Sequence, residues 1–198
     1  EQLTAEKIFI VAGCRAQIPP IPGLEGTPYV TYKEALRNTK QPKTMTIIGG
    51  GYIAVELGYF YASMGTDVTF VVRSGMISAE DKEVIAEFER VFSRNFTVKL
   101  KTSPTEVKYE NNTFRVTLKK SDGTESYLSS EALFVATGVK PNTDTLNLNT
   151  TGIKTDSKGY IEVDKTFKTA VPGVWAFGDI IGKYLFRHAV NYQGEYVF

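Results

Sequence analysis

The chain has 198 residues, 42% hydrophobic and 23% charged, a balance that excludes a low-complexity polymer and suffices for one core or two small ones. Its formal net charge of +1 offers no basic field for nucleic acid and no acidic tail for a cationic partner. No apolar run approaches the roughly 18–20 residues of a membrane helix, and one cysteine, Cys14, excludes an internal disulfide framework or a self-contained redox dithiol.

The opening Glu1-Gln2-Leu3-Thr4 has no basic-then-apolar leader pattern and no initiator Met, so the expectation is a piece cut from a larger cytoplasmic protein. Residues 7–12 (Lys-Ile-Phe-Ile-Val-Ala) predict a short buried strand closed by Gly13. Pro19-Pro20-Ile21-Pro22-Gly23 cannot be helical and reads as a stiff connector. An alternating series follows. Residues 44–48 predict a strand, Gly49-Gly50-Gly51 a sharp turn, and 52–64 a helix with an apolar stripe of Ile53, Ala54, Leu57, Gly58, Tyr61 and Ala62. Gly65 suits the helix C-cap, and the β-branched and aromatic run 68–72 predicts a second buried strand.

Ser78, with Asp81 three residues on, predicts an N-cap and capping box. The helix it opens carries Val84, Ile85, Phe88, Val91 and Phe92 on one face. A third strand is expected at 97–100. From 105 to 128 the apolar period becomes two, with turns at Asn111-Asn112 and Asp122-Gly123, which predicts a three-stranded antiparallel meander. Residues 133–136 predict another buried strand, ending at Thr137-Gly138. The tail predicts strands at 160–163 and 174–177 and a helix beginning near Phe186. The β-α-β-α-β order argues for an α/β fold, a Rossmann-like doubly wound parallel sheet with the meander inserted.

The sharpest chemical signal is the stretch Ile47-Ile48-Gly49-Gly50-Gly51-Tyr52-Ile53-Ala54-Val55-Glu56, which fits G-x-G-x-x-A between a strand and a helix. Gly49 would permit the tight turn, Gly51 the approach of a pyrophosphate to the backbone, and Ala54 close helix–strand packing. The free amides and dipole of the helix N-terminus would hold the phosphate charge. The plain alternative is a glycine-rich turn with no ligand. NAD-binding units usually end the second strand with an acid that accepts from the ribose 2′-hydroxyl. Here Val72 is followed by Arg73 and Ser74. A guanidinium can pair with a 2′-phosphate, whereas a carboxylate would repel it, so NADP is favoured over NAD. Arg73 as a solvated surface arginine is the competing reading, and 75–81 adds no second basic residue.

Three further stretches give the whole chain a family resemblance. They are Ile10-Val11-Ala12-Gly13-Cys14-Arg15 with the prolines after it, 133–142 (Leu-Phe-Val-Ala-Thr-Gly-Val-Lys-Pro-Asn), and Pro172-Gly173-Val174-Trp175-Ala176-Phe177-Gly178-Asp179. With the glycine turn and the meander, the chain resembles the FAD-dependent pyridine nucleotide–disulfide oxidoreductases, the glutathione reductase, dihydrolipoamide dehydrogenase and mycothione reductase family. The resemblance implies a partial FAD-binding segment at 1–24, an NAD(P)H-binding domain at 25–144 and a second partial FAD-binding segment at 145–198. It implies FAD and NADP (or NAD) as cofactors. Cofactor contacts would come from Gly49, Gly50, Gly51, Tyr52, Ile53, Glu56, Arg73, Ser74 and Gly138, and on the flavin side from Gly13, Gly178, Asp179, His188 and Ala189.

Asp179 would bind the ribityl chain, Tyr52 would gate the nicotinamide pocket with Glu56 close by, and the helix at His188-Ala189 would point at the flavin pyrimidine. Two departures stand out: Cys14 occupies a position usually Ser, Thr or Gly, and Val139 replaces a usual arginine. The family's first glycine fingerprint, its C-x-x-x-x-C redox pair and its C-terminal dimerisation domain are not in this sequence. No catalytic residue is therefore expected here, nor a metal site, and the parent would be a homodimer binding small-molecule dinucleotides, with neither nucleic acid nor membrane as partner. The function implied is hydride passage from NADPH (or NADH) to flavin and on to a disulfide, with this piece inactive by itself. The alternatives are a flavoprotein NADH oxidase or ferredoxin-reductase type enzyme, and a dinucleotide-binding module without catalysis. An S-adenosylmethionine methyltransferase would need an acid after the second strand and leaves the meander and Gly178-Asp179 unexplained.

Overall fold

In the computed structural model, which describes residues 3–198, short apolar strands set the framework. The leader reading at Glu1-Gln2 lies outside the described residues. The chain divides into two compact units, Ala16–Gly138 and the flanking pair Glu1–Arg15 with Val139–Phe198. Each is described by itself.

Strand β1 (Ile8–Ile10) is shorter than the six residues expected, because only these pair with a partner strand. A second short strand, β2 (Cys14–Ala16), was not expected from the sequence. In the central unit, helix α1 (Tyr32–Arg37) was also missed. Its start is a capping box: Thr31 N–H donates to Glu34 Oε2 at 2.8 Å, and Thr31 Oγ1 accepts from Lys33 N–H. Strand β3 (Thr44–Ile48) and helix α2 (Tyr52–Ser63) follow as expected, then β4 (Asp67–Val72), α3 (Lys82–Asn95) and β5 (Thr97–Leu100). The expected capping box at Ser78 is overturned. Asp81 is the N-cap of α3, no side chain caps it, and Ser78 lies in the turns that precede it. A turn-forming Ser-x-x-Asp satisfies the same pattern as a cap, and the loop's anchoring decides between them.

The meander comprises β6 (Thr102–Glu110), β7 (Thr113–Lys120) and β8 (Glu125–Ser130), paired antiparallel. Asn111 and Asn112 both take positive φ (51° and 59°), the hairpin turn expected of that pair. Strand β9 (Ala132–Val135) returns to the main sheet, whose order is β5-β4-β3-β9, all parallel.

Both faces of this sheet are covered, which is why its strands read as continuous apolar runs. Met45, Ile47, Phe70, Val72 and Phe134 face the helices, packing with Ala54, Tyr61 and Phe92. The alternate residues Ile48, Val71, Leu133 and Val135 pack with the meander's Val107, Phe114, Val116 and Leu118. The expected stripe of α2 holds at Ala54, Gly58 and Tyr61, but Ile53 is exposed, one residue off that face.

In the flanking unit, β10 (Val139–Pro141) pairs with β2, and β11 (Val174–Ala176) pairs in parallel with β1. The strand expected at 160–163 reduces to a single bridge between Thr155 and Ile161, since Ile161 N–H turns to the carbonyl of Ile180. Leu148, Ile161, Ala176, Ile180 and Ile181 form the core, and α4 (Arg187–Val197) begins one residue after Phe186. Among the described residues no helix is long and apolar enough to cross a membrane.

Candidate functional site

The three glycines of the β3–α2 turn have separable jobs. Gly49 takes φ +135°, and a Cβ there would lie 2.1 Å from the carbonyl oxygen of Ala136, at the end of β9. Only glycine lets the two parallel strand ends approach this closely. Gly50 faces inward, where a Cβ would meet Val72 Cγ1 at 2.7 Å and Met76 Sδ at 3.2 Å. Gly51 is the N-cap of α2. A Cβ on it would meet nothing within 4 Å, and no side chain caps the helix amides behind it. The open face and uncapped amides form a cradle at the positive end of a 12-residue helix, a place that fits a pyrophosphate.

The loop from Arg73 to Glu80 is tied to this turn. Ile77 N–H donates to the carbonyl of Gly50 at 2.7 Å, and Met76 N–H donates to Glu89 Oε1 of α3 at 2.8 Å. Met76 and Ile77 are buried, while Arg73 and Ser74 are exposed at its start. No carboxylate among the described residues lies within ion-pair distance of Arg73, so its guanidinium is available to an anion. Tyr52, first residue of α2, donates its phenolic hydrogen to Glu80 Oε1, and this bond holds its pKa above the ordinary value. Ile53 and Glu56 are exposed on the same helix. Gly138, beyond β9, has open space where a Cβ would be.

In the flanking unit Gly178-Asp179 opens the turn after β11. Gly178 N–H donates to Oε1 of the buried Gln193 of α4 at 2.7 Å, and a Cβ on Gly178 would meet Val190 at 3.2 Å. The half-buried Asp179 carboxyl has its pKa raised by loss of solvent and no hydrogen-bond donor among the described residues. That leaves it able to accept from a ligand hydroxyl, which suits a ribityl chain. Gly13, whose Cβ position is also open, accepts from Asn142 N–H at 3.1 Å. Exposed His188 and half-buried Ala189 lie in the first turn of α4, whose amides no side chain caps.

Cys14 is half-buried, and its thiol donates to the carbonyl oxygen of Asp179 at 3.3 Å. Burial, with Asp179 second, pushes it up to about 11 against the pull of Tyr160 and Arg15. A group so shifted stays a thiol at neutral pH and is a poor nucleophile. Alkylation of Cys14 by iodoacetamide at pH 8, followed by mass spectrometry, is expected to run at least about tenfold slower than that of a free cysteine. A rate equal to the free thiol's would refute that environment. Among the described residues no cluster of His, Cys, Asp and Glu could hold a metal ion.

Sequence reasoning missed four residues that shape these turns. Nothing in the local sequence around Glu80, Glu89 or Gln193 marks them as partners of these turns. Arg15 bonds Asn142 Oδ1 at 2.9 Å and pairs with Asp144, keeping that carboxyl below its ordinary range.

The sequence model of the family described as pyridine nucleotide-disulphide oxidoreductase matches residues 1–195. The chain belongs to that family. It is 31% identical over 199 residues to a mercuric reductase of Staphylococcus aureus, covering 100% of this chain and 36% of that protein. It is 31% identical over 198 residues to a mycothione reductase of Mycobacterium tuberculosis, covering 100% of this chain and 42% of the relative. A dihydrolipoyl dehydrogenase of Rhizobium etli is 34% identical over 196 residues, with 96% of this chain and 40% of that one covered. Among solved structures, the HOCl-induced flavoprotein disulfide reductase RclA from Escherichia coli, as its Cu(II) complex, superposes with a TM-score of 0.86. That match has 28% sequence identity and covers 97% of this chain and 43% of RclA. The chain thus spans about two fifths of the length of these relatives.

Proposed function

We propose that the Ala16–Gly138 unit is the NAD(P)H-binding platform of an FAD-dependent disulfide oxidoreductase. The flanking unit supplies part of its flavin site. The observation that carries this reading is the Gly51 cradle: an open, uncapped N-terminus of α2 directly after a parallel central strand. Gly49, Gly50 and Gly51 hold the backbone of the pyrophosphate site, Arg73 and Ser74 border the adenosine ribose, and Tyr52, Ile53, Glu56 and Gly138 border the nicotinamide half. Gly13, Asp179, Gly178, His188 and Ala189 serve the flavin. Bound FAD and NADPH supply the hydride-transfer chemistry, and the chain's residues bind and orient them. With one cysteine the chain has no thiol pair, so by itself it turns over no disulfide.

NADPH is the dinucleotide favoured by the Arg73 guanidinium, which has no ion-pair partner among the described residues. A second reading, NADH, is favoured by one observation: Glu89 brings a carboxylate from α3 to the Gly75-Met76 backbone, only two residues beyond Arg73. Calorimetric titration with both dinucleotides at one ionic strength separates them. Tighter binding of NADPH, lowered about tenfold or more by Arg73→Glu, is the expected result. Equal affinities, unmoved by that substitution, would discard the NADPH preference. Binding of neither would discard the platform.

A further inference from the structure

Helix α4 buries one residue outright, and that residue is a glutamine. The buried position of an amphipathic helix is ordinarily apolar, because an amide taken out of water must find partners there. Gln193 finds one outside its own helix: its Oε1 accepts from Gly178 N–H at 2.7 Å. Val190 and Gly194 share its face of the helix. A Cβ on Gly178 would meet Val190 at 3.2 Å, and a Cβ on Gly194 would meet Phe177 at 3.6 Å, so α4 rests directly on the Phe177-Gly178 backbone. Of these contacts only the hydrogen bond is directional. The next residue, Asp179, is held from its other side. Its carbonyl oxygen accepts from the Cys14 thiol at 3.3 Å and from Gly182 N–H at 3.0 Å, and the Ile180 carbonyl accepts from Ile161 N–H at 3.0 Å. The backbone is thus fixed on both sides of Asp179, while its half-buried carboxyl has no donor among the described residues.

We propose that Gln193 is a positioning residue for the flavin side: by holding Gly178 N–H on α4 it fixes where the Asp179 carboxylate is presented to a ligand hydroxyl. The proposal rests on the reading that gives Asp179 to the ribityl chain, and adds the residue that aims it. Gly178 takes φ +80°, a conformation that turns the chain sharply just before the aspartate. A small rotation at that turn swings the carboxylate through a larger arc, and the Gln193 bond is the restraint on its N-terminal side. Such preorganisation adds affinity because the group is ordered before the ligand arrives. Without the acceptor, Gly178 N–H is a buried donor with no partner. The turn then regains a partner only by moving toward water, and it carries Asp179 with it.

The test is calorimetric titration of FAD into the 198-residue chain and into Gln193→Met, Gln193→Glu, Asp179→Ala and the Gln193→Met/Asp179→Ala double variant. It is paired with hydrogen exchange of the Gly178 amide, followed by NMR. Methionine keeps the length of glutamine and removes the acceptor, whereas glutamate retains an acceptor oxygen. Gln193→Met is expected to speed exchange at Gly178 and to lower FAD affinity about tenfold, and Gln193→Glu to stay within about threefold of the original chain. The double variant is expected to bind no more weakly than Asp179→Ala, because Gln193 acts through that carboxylate. Should Gln193→Met fail to fold, Gln193→Asn, shorter by one methylene, takes its place with the same expected loss. Unchanged FAD affinity in the variant lacking the acceptor, no recovery in Gln193→Glu, or losses that add in the double variant would overturn the proposal, while Asp179→Ala reports separately on the ribityl reading. Absence of FAD binding in every form would overturn that reading and the positioning role with it.

Discussion

Gly49→Ala is expected to cost the central unit about 4 kcal/mol of unfolding free energy, whereas Gly51→Ala is expected to leave it folded with its dinucleotide affinity lowered about tenfold or more. At Gly49 two costs combine. The φ of +135° is strained for any L side chain, and the new Cβ would be 2.1 Å from the Ala136 carbonyl oxygen, a backbone atom that cannot swing away. Backbone strain of about 1–3 kcal/mol and overpacking of similar size sum to roughly 4 kcal/mol. That is a large part of the roughly 5–15 kcal/mol that stabilises a domain. At Gly51 the backbone is extended and nothing lies within 4 Å, so the cost is only the poorer N-cap, up to about 1 kcal/mol. The methyl would instead occupy the space a pyrophosphate needs, lowering dinucleotide affinity by about tenfold or more. Urea unfolding followed by circular dichroism, with calorimetry on whatever remains folded, checks both. A stable Gly49→Ala protein would mean the strand ends can part. Full affinity in Gly51→Ala would mean the phosphate lies elsewhere.

Gly58→Val is expected to cost about 3 kcal/mol of unfolding free energy, through overpacking rather than strain. Gly58 is in the buried face of α2, where a Cβ would fall 2.4 Å from Phe70 Cζ and 2.8 Å from Ile47 Cδ1. The helix therefore rests on β3 and β4 through Ala54 and Gly58 together, and Phe70 fills the space the glycine leaves. Phe70 is fully buried and packs edge-on to Phe92, with ring centroids 5.1 Å apart. Phe70→Ala alone is expected to cost about 3–5 kcal/mol. In the Gly58→Val background the same change should cost clearly less, because the ring that clashes has gone. A double-mutant cycle in urea measures that difference. Simple additivity would show that α2 shifts as a body and that the ring does not limit its approach.

Local patterns were legible where one short-range rule governed them. The strands Thr44–Ile48 and Thr97–Leu100, the helix after the glycine turn and the Asn-Asn hairpin all follow from period and turn chemistry within a dozen residues. The capping pattern shows where such rules stop. Thr31-x-x-Glu34 was passed over and caps a real helix, whereas Ser78-x-x-Asp81 matched the pattern and caps nothing. The second case is settled by Met76 and Ile77, which are pulled inward by Glu89 and Gly50 and hold the segment as a turned loop. Similarly, residues 160–163 have a strand-like composition, but the partner that Ile161 finds is the carbonyl of Ile180, not a neighbouring strand.

The sequence by itself determined the α/β class, the parallel sheet with its meander, and the glycine turn between β3 and α2, because periodicity and glycine spacing act within one element and its neighbours. Only the tertiary structure decided what the turn glycines pack against: the Ala136 carbonyl at Gly49, and Val72 and Met76 at Gly50. It alone brought Glu80 to Tyr52, Glu89 to Met76 and Gln193 to Gly178, pairs separated by 13 to 28 residues in the chain. Such partners are chosen by how α2 and α3 lie on the sheet and α4 on its turn. That depends on core volumes and the hydrogen-bonding needs of buried backbone, which no local spacing records.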